Sequence, residues 1–151
     1  QQPGLFGGPL YVLSKALSAL ALADALEAAI GMPVAPVFWA ATDDADFAEA
    51  RVVRVAHGPH VDTLRAAPTA PDGTPMAAVP LGDDVAALHA RLERAAGSAA
   101  ASHVLEAARA AYVPGATVGG AYLALLRTLL EPLGISVLDA SHPAVREGGF
   151  N

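Results

Sequence analysis

QQPGLFGGPLYVLSK (Gln1–Lys15) packs three glycines and two prolines into nine residues and runs straight into a long apolar helical pattern. Pro9 stands in the first turn, where its missing N–H costs nothing, and Gly31 and Pro33 stop the pattern after about Ile30. Backbone N–H groups of such a loop and the positive end of the helix dipole together favour an anion, so the loop is a candidate phosphate site. Gly4, Gly7 and Gly8 match neither G-x-G-x-x-G nor a P-loop, so the glycines alone are a weak signal. On the helix, Tyr11, Ser14, Lys15 and Ser18 share one side, which turns apolar further on through Leu22, Ala25, Leu26 and Ala29. A helix buried nearly all round, polar only beside a loop, predicts a cleft at that end. A partly exposed first turn is the plainer alternative. Lys15 is the only lysine beside eight arginines.

Downstream, APVFWA (Ala35–Ala40) is a continuous apolar run that predicts a fully buried parallel strand. TDDADFAE (Thr42–Glu49) follows at its C-terminal end, where open α/β sheets place ligand sites. Arg51–His57 and His60–Ala66 predict a hairpin across Gly58-Pro59, and Ala67–Pro75 a loop with a turn at Asp72-Gly73. Gly82–Ala96 and Ser98–Tyr112 have helical periodicity and are separated at Gly97. A third helix starts after a cap at Thr117 and stops at Gly134. Ile135–Pro143 is a short strand ending in Asp139, Ser141 and His142. The order is loop, helix, strand, β-rich excursion, three helices, strand. It predicts an α/β, Rossmann-like parallel sheet with helices on both faces, interrupted by a connecting insertion. Residues 1–50 form the first part of this core, 51–115 the insertion and 116–151 the return. The strand that should feed the glycine loop is expected upstream of Gln1.

Composition bounds the function. The chain has 151 residues, 54% hydrophobic and 16% charged, enough to bury a core. Its net charge of −6 argues against nucleic acid as the main partner. Lys15, Asp24 and Glu27 interrupt the longest apolar stretch, so no membrane span is expected. The absence of cysteine removes disulfides, a thiolate nucleophile and Cys-based metal sites, and fits a cytoplasmic location.

The carboxylates Asp43, Asp44 and Asp46 are the second candidate site. At the end of a buried strand they suit ribose hydroxyls, an amine, Mg²⁺ or general-base work, against the plainer reading of a solvated turn. Phe38 and Trp39 are expected to anchor them from the core. Asp139 and His142 are expected on the same sheet edge. His57, His60, His89 and His103 lack metal-ligand spacing and read as surface or locally bonded residues.

In combination, QQPGLFGGPLYVLSKALSALALA, PVFWAATDDADFAE and the late GISVLDASHPAV resemble the bacillithiol-biosynthesis cysteine-adding enzymes. Gln1, Gln2, Gly4, Leu5, Gly8, Pro9, Leu10, Tyr11 and Lys15 match the first block of that family's pattern. Trp39, Asp43, Asp44, Asp46, Phe47 and Glu49 match the second, with Ala45 where the pattern has histidine. The resemblance implies a Rossmann-like core similar to class I aminoacyl-tRNA synthetases, and ligation of L-cysteine to the amine of glucosaminyl-malate. It assigns Asp43, Asp44, Asp46 and Lys15 to catalysis. Gln1, Gln2, Gly4, Gly7, Gly8 and Tyr11 fall to a nucleotide (ATP or ADP, with Mg²⁺), and Trp39, Thr42, Glu49, Asp139 and His142 to substrate. A homodimer is expected for the full-length protein. The rival readings are a non-catalytic nucleotide- or small-molecule-binding module, for which Ala45 argues, and a structural or interaction domain of the same ancestry.

Overall fold

The computed structural model describes residues 1–97 and 102–148. Its organising element is a parallel pair, β1 (Val37–Ala40) beside β4 (Ser136–Asp139), in the register Phe38 to Val137 and Ala40 to Asp139. On the other edge of β1, the Gln1 nitrogen donates to the Trp39 carbonyl at 2.6 Å and the Ala41 N–H donates to the Gln1 carbonyl at 2.9 Å. The glycine loop is therefore stitched to the sheet at its start.

Helix α1 (Tyr11–Ile30) ends as expected, with Gly31 left-handed at φ 69° and its N–H returned to Glu27. Helix α5 (Val118–Leu130) is capped by Thr117, whose hydroxyl accepts the Gly120 N–H at 3.0 Å. α5 joins two cores. Val118, Ala121 and Leu125 pack into a cluster with Leu5, Leu64, Met76, Val85 and Tyr112. Tyr122, Leu126 and Leu130 pack into a second with Val12, Ala16, Phe38, Ala40 and Val137. Gly119 makes the first of these possible, because a Cβ there would stand 2.9 Å from the Ala77 nitrogen.

Between the sheet strands lie the short helix α2 (Phe47–Ala50), the antiparallel hairpin β2 (Val52–His57) and β3 (His60–Arg65), and helices α3 (Val85–Ala96) and α4 (His103–Ala111). α6 (Pro143–Gly148) follows β4. The first residues of the helix predicted from Ser98, 98–101, lie outside the described residues.

Two expectations are corrected. β1 alternates rather than being fully buried: Phe38 and Ala40 face α1 and α5, while Val37 is 55% and Trp39 49% exposed. Trp39 is thus no core anchor, and among the described residues the helices that pack on the sheet through buried side chains cover one face. Likewise α1 is buried along a narrow line, Val12, Ala16 and Ala23, and leaves Leu17, Leu22, Leu26 and Ile30 exposed. Its apolar circumference exceeds what this sheet can cover.

Candidate functional site

The glycine loop, the turn after β1 and the β2–β3 hairpin meet in a cleft of about 570 Å³. Gln2, Gly4 and Tyr11 line it from the loop and α1, Asp44, Asp46 and Glu49 from the turn after β1, and Arg54 and Arg65 from the hairpin.

The glycine-loop wall is rigid for identifiable reasons. Leu5–Gly7 form a single 3-10 turn with Phe6 at φ 53°, a left-handed conformation rare outside glycine. Gly4 approaches so closely that an added Cβ would lie 2.7 Å from the Gly8 Cα. The Tyr112 hydroxyl, buried beneath the turn, donates to the Gly4 carbonyl at 2.8 Å and accepts the Gly7 N–H at 3.1 Å. The Phe6 ring packs on Tyr112 and His89 at 5.0 and 4.9 Å, and His89 Nε2 lies 2.8 Å from the Tyr112 carbonyl. Burial pushes the Tyr112 phenol well above its ordinary value, so it stays a donor. Sequence reading missed Tyr112, since its partners lie more than 100 residues away. The Gly7 and Gly8 amides are committed within the chain, to Gly4 and Tyr112 and to Leu5 respectively.

The acidic wall is a chain of caps. Asp44 accepts the Gln2 amide on Oδ2 and the Asp46 N–H on Oδ1, both at 2.7 Å. These two bonds, the backbone one first, hold its carboxyl below the usual aspartate range. Asp46 in turn caps α2 by accepting the Glu49 N–H at 3.0 Å. The turn is pinned from behind, as the Met76 N–H donates to the Asp44 carbonyl and the Ala77 N–H to the Thr42 carbonyl.

The other candidate residues go elsewhere. Thr42 is fully buried, donates to Asp139 and sits 2.8 Å from the Ser141 hydroxyl, which locks the ends of β1 and β4 together. Lys15 reaches Gln1 Oε1 at 3.2 Å and lies over the Tyr11 ring, facing a smaller cavity shared with Gln1 and Trp39. Gly7, Gly8, Asp43, Asp139 and His142 do not line the main cleft. His142 Nδ1 instead accepts the Ala144 N–H at the start of α6. Among the described residues no group of three or more His, Asp and Glu side chains is arranged to hold a metal ion, and no helix is long and apolar enough to cross a membrane.

A family model described as "Bacillithiol biosynthesis BshC, N-terminal Rossmann-like domain" matches residues 1–149. Proteins named "Putative cysteine ligase BshC" are similar along nearly the whole chain. That of Solibacter usitatus is 37% identical over 97% of this chain, and that of Salinibacter ruber 35% identical over 92%. The Heliobacterium modesticaldum protein reaches 50% identity over 38% of it. The chain spans 28% of the length of the first relative and 26% of the second. Parallel sheet, glycine loop and family match agree, and the chain belongs to the BshC family as its N-terminal Rossmann-like domain.

Proposed function

We propose that this domain supplies the amine-binding wall of a cysteine ligase, which joins L-cysteine to the amine of glucosaminyl-malate in bacillithiol biosynthesis. The observation that carries the reading is the wall of Asp44, Asp46 and Glu49 beside Gln2 and Tyr11 on one cleft, with the carboxylates of Asp44 and Asp46 fixed by hydrogen bonds. Amide formation needs the amine nitrogen to give up a proton and attack the carboxyl carbon of an L-cysteine already activated as a mixed anhydride. The C–N bond forms as the C–O bond to the activating group breaks, and that group departs with the oxygen. A sugar ammonium docked against carboxylates is oriented by them, and Asp46 or Glu49, neither engaged by a cation among the described residues, can take that proton. Asp44, its carboxyl held below the usual range by the Asp46 N–H and then by Gln2, keeps the charge pattern of the wall. Ala45 leaves the turn without the family's imidazole, so the base in this chain is a carboxylate. The glycine loop does not fit a phosphate cradle, because its Gly7 and Gly8 amides are spent internally, and no step of this reading runs through a nucleotide or Mg²⁺.

The test is Asp46→Asn together with Glu49→Gln in the intact protein that carries this domain, with the cysteinyl product followed by mass spectrometry. Asparagine keeps the α2 cap, so the change removes charge rather than structure. The expected result is a loss of kcat of roughly 10²-fold or more. Unchanged turnover would overturn the reading.

A further inference from the structure

The hairpin wall of the cleft carries chemistry that neither the family pattern nor the proposed amine site uses. In the β2–β3 register Val52 stands opposite Arg65 and Arg54 opposite Thr63. Strand alternation therefore puts Val52, Arg54, Thr63 and Arg65 on one face, with Val53 and the fully buried Leu64 on the core face. Arg54 and Arg65 are diagonal neighbours, on the order of 7–8 Å apart at the backbone, within reach of one small anion. Both line the cleft, and neither guanidinium has an ion-pair or hydrogen-bond partner among the described residues. Two like charges on one face repel unless something negative lies between them. The carboxylates of the opposite wall do not, since no ion pair joins the two walls among the described residues.

We infer that Arg54 and Arg65 form an oxyanion subsite which grips the carboxylates of the acceptor, while the acidic wall takes its amine. Planar guanidinium forks match carboxylate and phosphate oxygens in paired hydrogen bonds. The cleft is thus bipolar, cationic on the hairpin and anionic on the turn after β1, and selects a ligand carrying an ammonium at one end and an acid at the other. The inference rests on the amine-site reading for the direction in which the acceptor lies. A substrate carboxylate and a phosphoryl group share this oxyanion chemistry, and the subsite takes the carboxylate.

Calorimetry on the intact protein, with L-malate and with inorganic phosphate as probes, tests it in the wild type, Arg54→Gln, Arg65→Gln and the double variant. Both arginines are exposed, so glutamine leaves the fold intact, which circular dichroism checks. The expected result is malate binding that weakens roughly tenfold in each single variant and further in the double. Phosphate binding that depends on the arginines without malate binding would overturn the carboxylate assignment in favour of a phosphoryl group. Wild-type protein that binds neither probe, or a double variant that binds malate as wild type does, would overturn the subsite. Ligation kinetics separate this from the amine-site reading: the arginine variants should raise KM for the acceptor at unchanged kcat. A protein that binds malate through both arginines but ligates nothing fails only the ligase reading.

Discussion

The two walls that enclose the cleft from the glycine loop and from the acidic turn are built on opposite plans. In the glycine loop the backbone polar groups are consumed inward, by the 3-10 turn and by the buried Tyr112 hydroxyl. In the acidic turn the backbone is pinned from behind by Met76 and Ala77, and the carboxylates of Asp44, Asp46 and Glu49 are left lining the cleft. A loop rich in glycine invites a reading as a phosphate cradle, but here glycine serves close packing. The proposed function gives the chemistry to the wall whose side chains, rather than amides, reach the cavity.

Gly4→Ala probes the first plan most severely. Its φ of −146° suits any residue, so the whole effect is steric, a Cβ driven into the Gly8 backbone at 2.7 Å. A loss of about 3 kcal/mol in urea unfolding is expected. An alanine tolerated without cost would show that the loop yields easily and would erase the contrast between the walls. Tyr112→Phe is milder. It removes the hydroxyl but leaves Gly7 N–H and the Gly4 carbonyl bonded to each other at 3.1 Å, so about 1 kcal/mol is expected from the same measurement. Equal losses from Tyr112→Phe and Gly4→Ala would mean that the hydroxyl, not close packing, shapes the loop.

The contrast between walls was only partly legible in the sequence. Local signals were read well: the Gly31 stop, the Thr117 cap and the hairpin turn at Gly58-Pro59 each act within a few residues. The acidic turn after β1 was legible too, because a strand end followed by carboxylates places them by geometry alone. What failed was anything set by the amount of apolar cover available. α1 and α5 are both apolar in sequence, yet α5 buries eight residues and α1 three. A helix pattern states how much surface wants cover, while the tertiary structure decides which of it is covered, and Trp39 was misplaced for the same reason. Arg54 and Arg65 passed unnoticed because the alternation of β2 and β3 shows which face they share but not that this face borders the glycine loop.

The smallest expected effect concerns Asp44, where the second plan touches the first through Gln2. Its folded-state carboxyl titrates below its unfolded value because the Asp46 N–H and the Gln2 amide both favour the charged form. For a group shifted in this direction, the stabilising contribution is fully present above the unfolded value. It fades as the pH falls through the folded one, since the unfolded chain takes up its proton first. Asp44→Asn keeps an acceptor oxygen but cannot titrate. At neutral pH the variant should therefore unfold slightly more easily than wild type, and the gap should close as the pH drops through the aspartate range. Paired urea titrations at successive pH values read this directly. A gap that stayed constant with pH would mean that Gln2 and the Asp46 N–H fix only the shape of the turn. A gap that closes means that they also hold its charge, which is what an ammonium arriving in the cleft would meet.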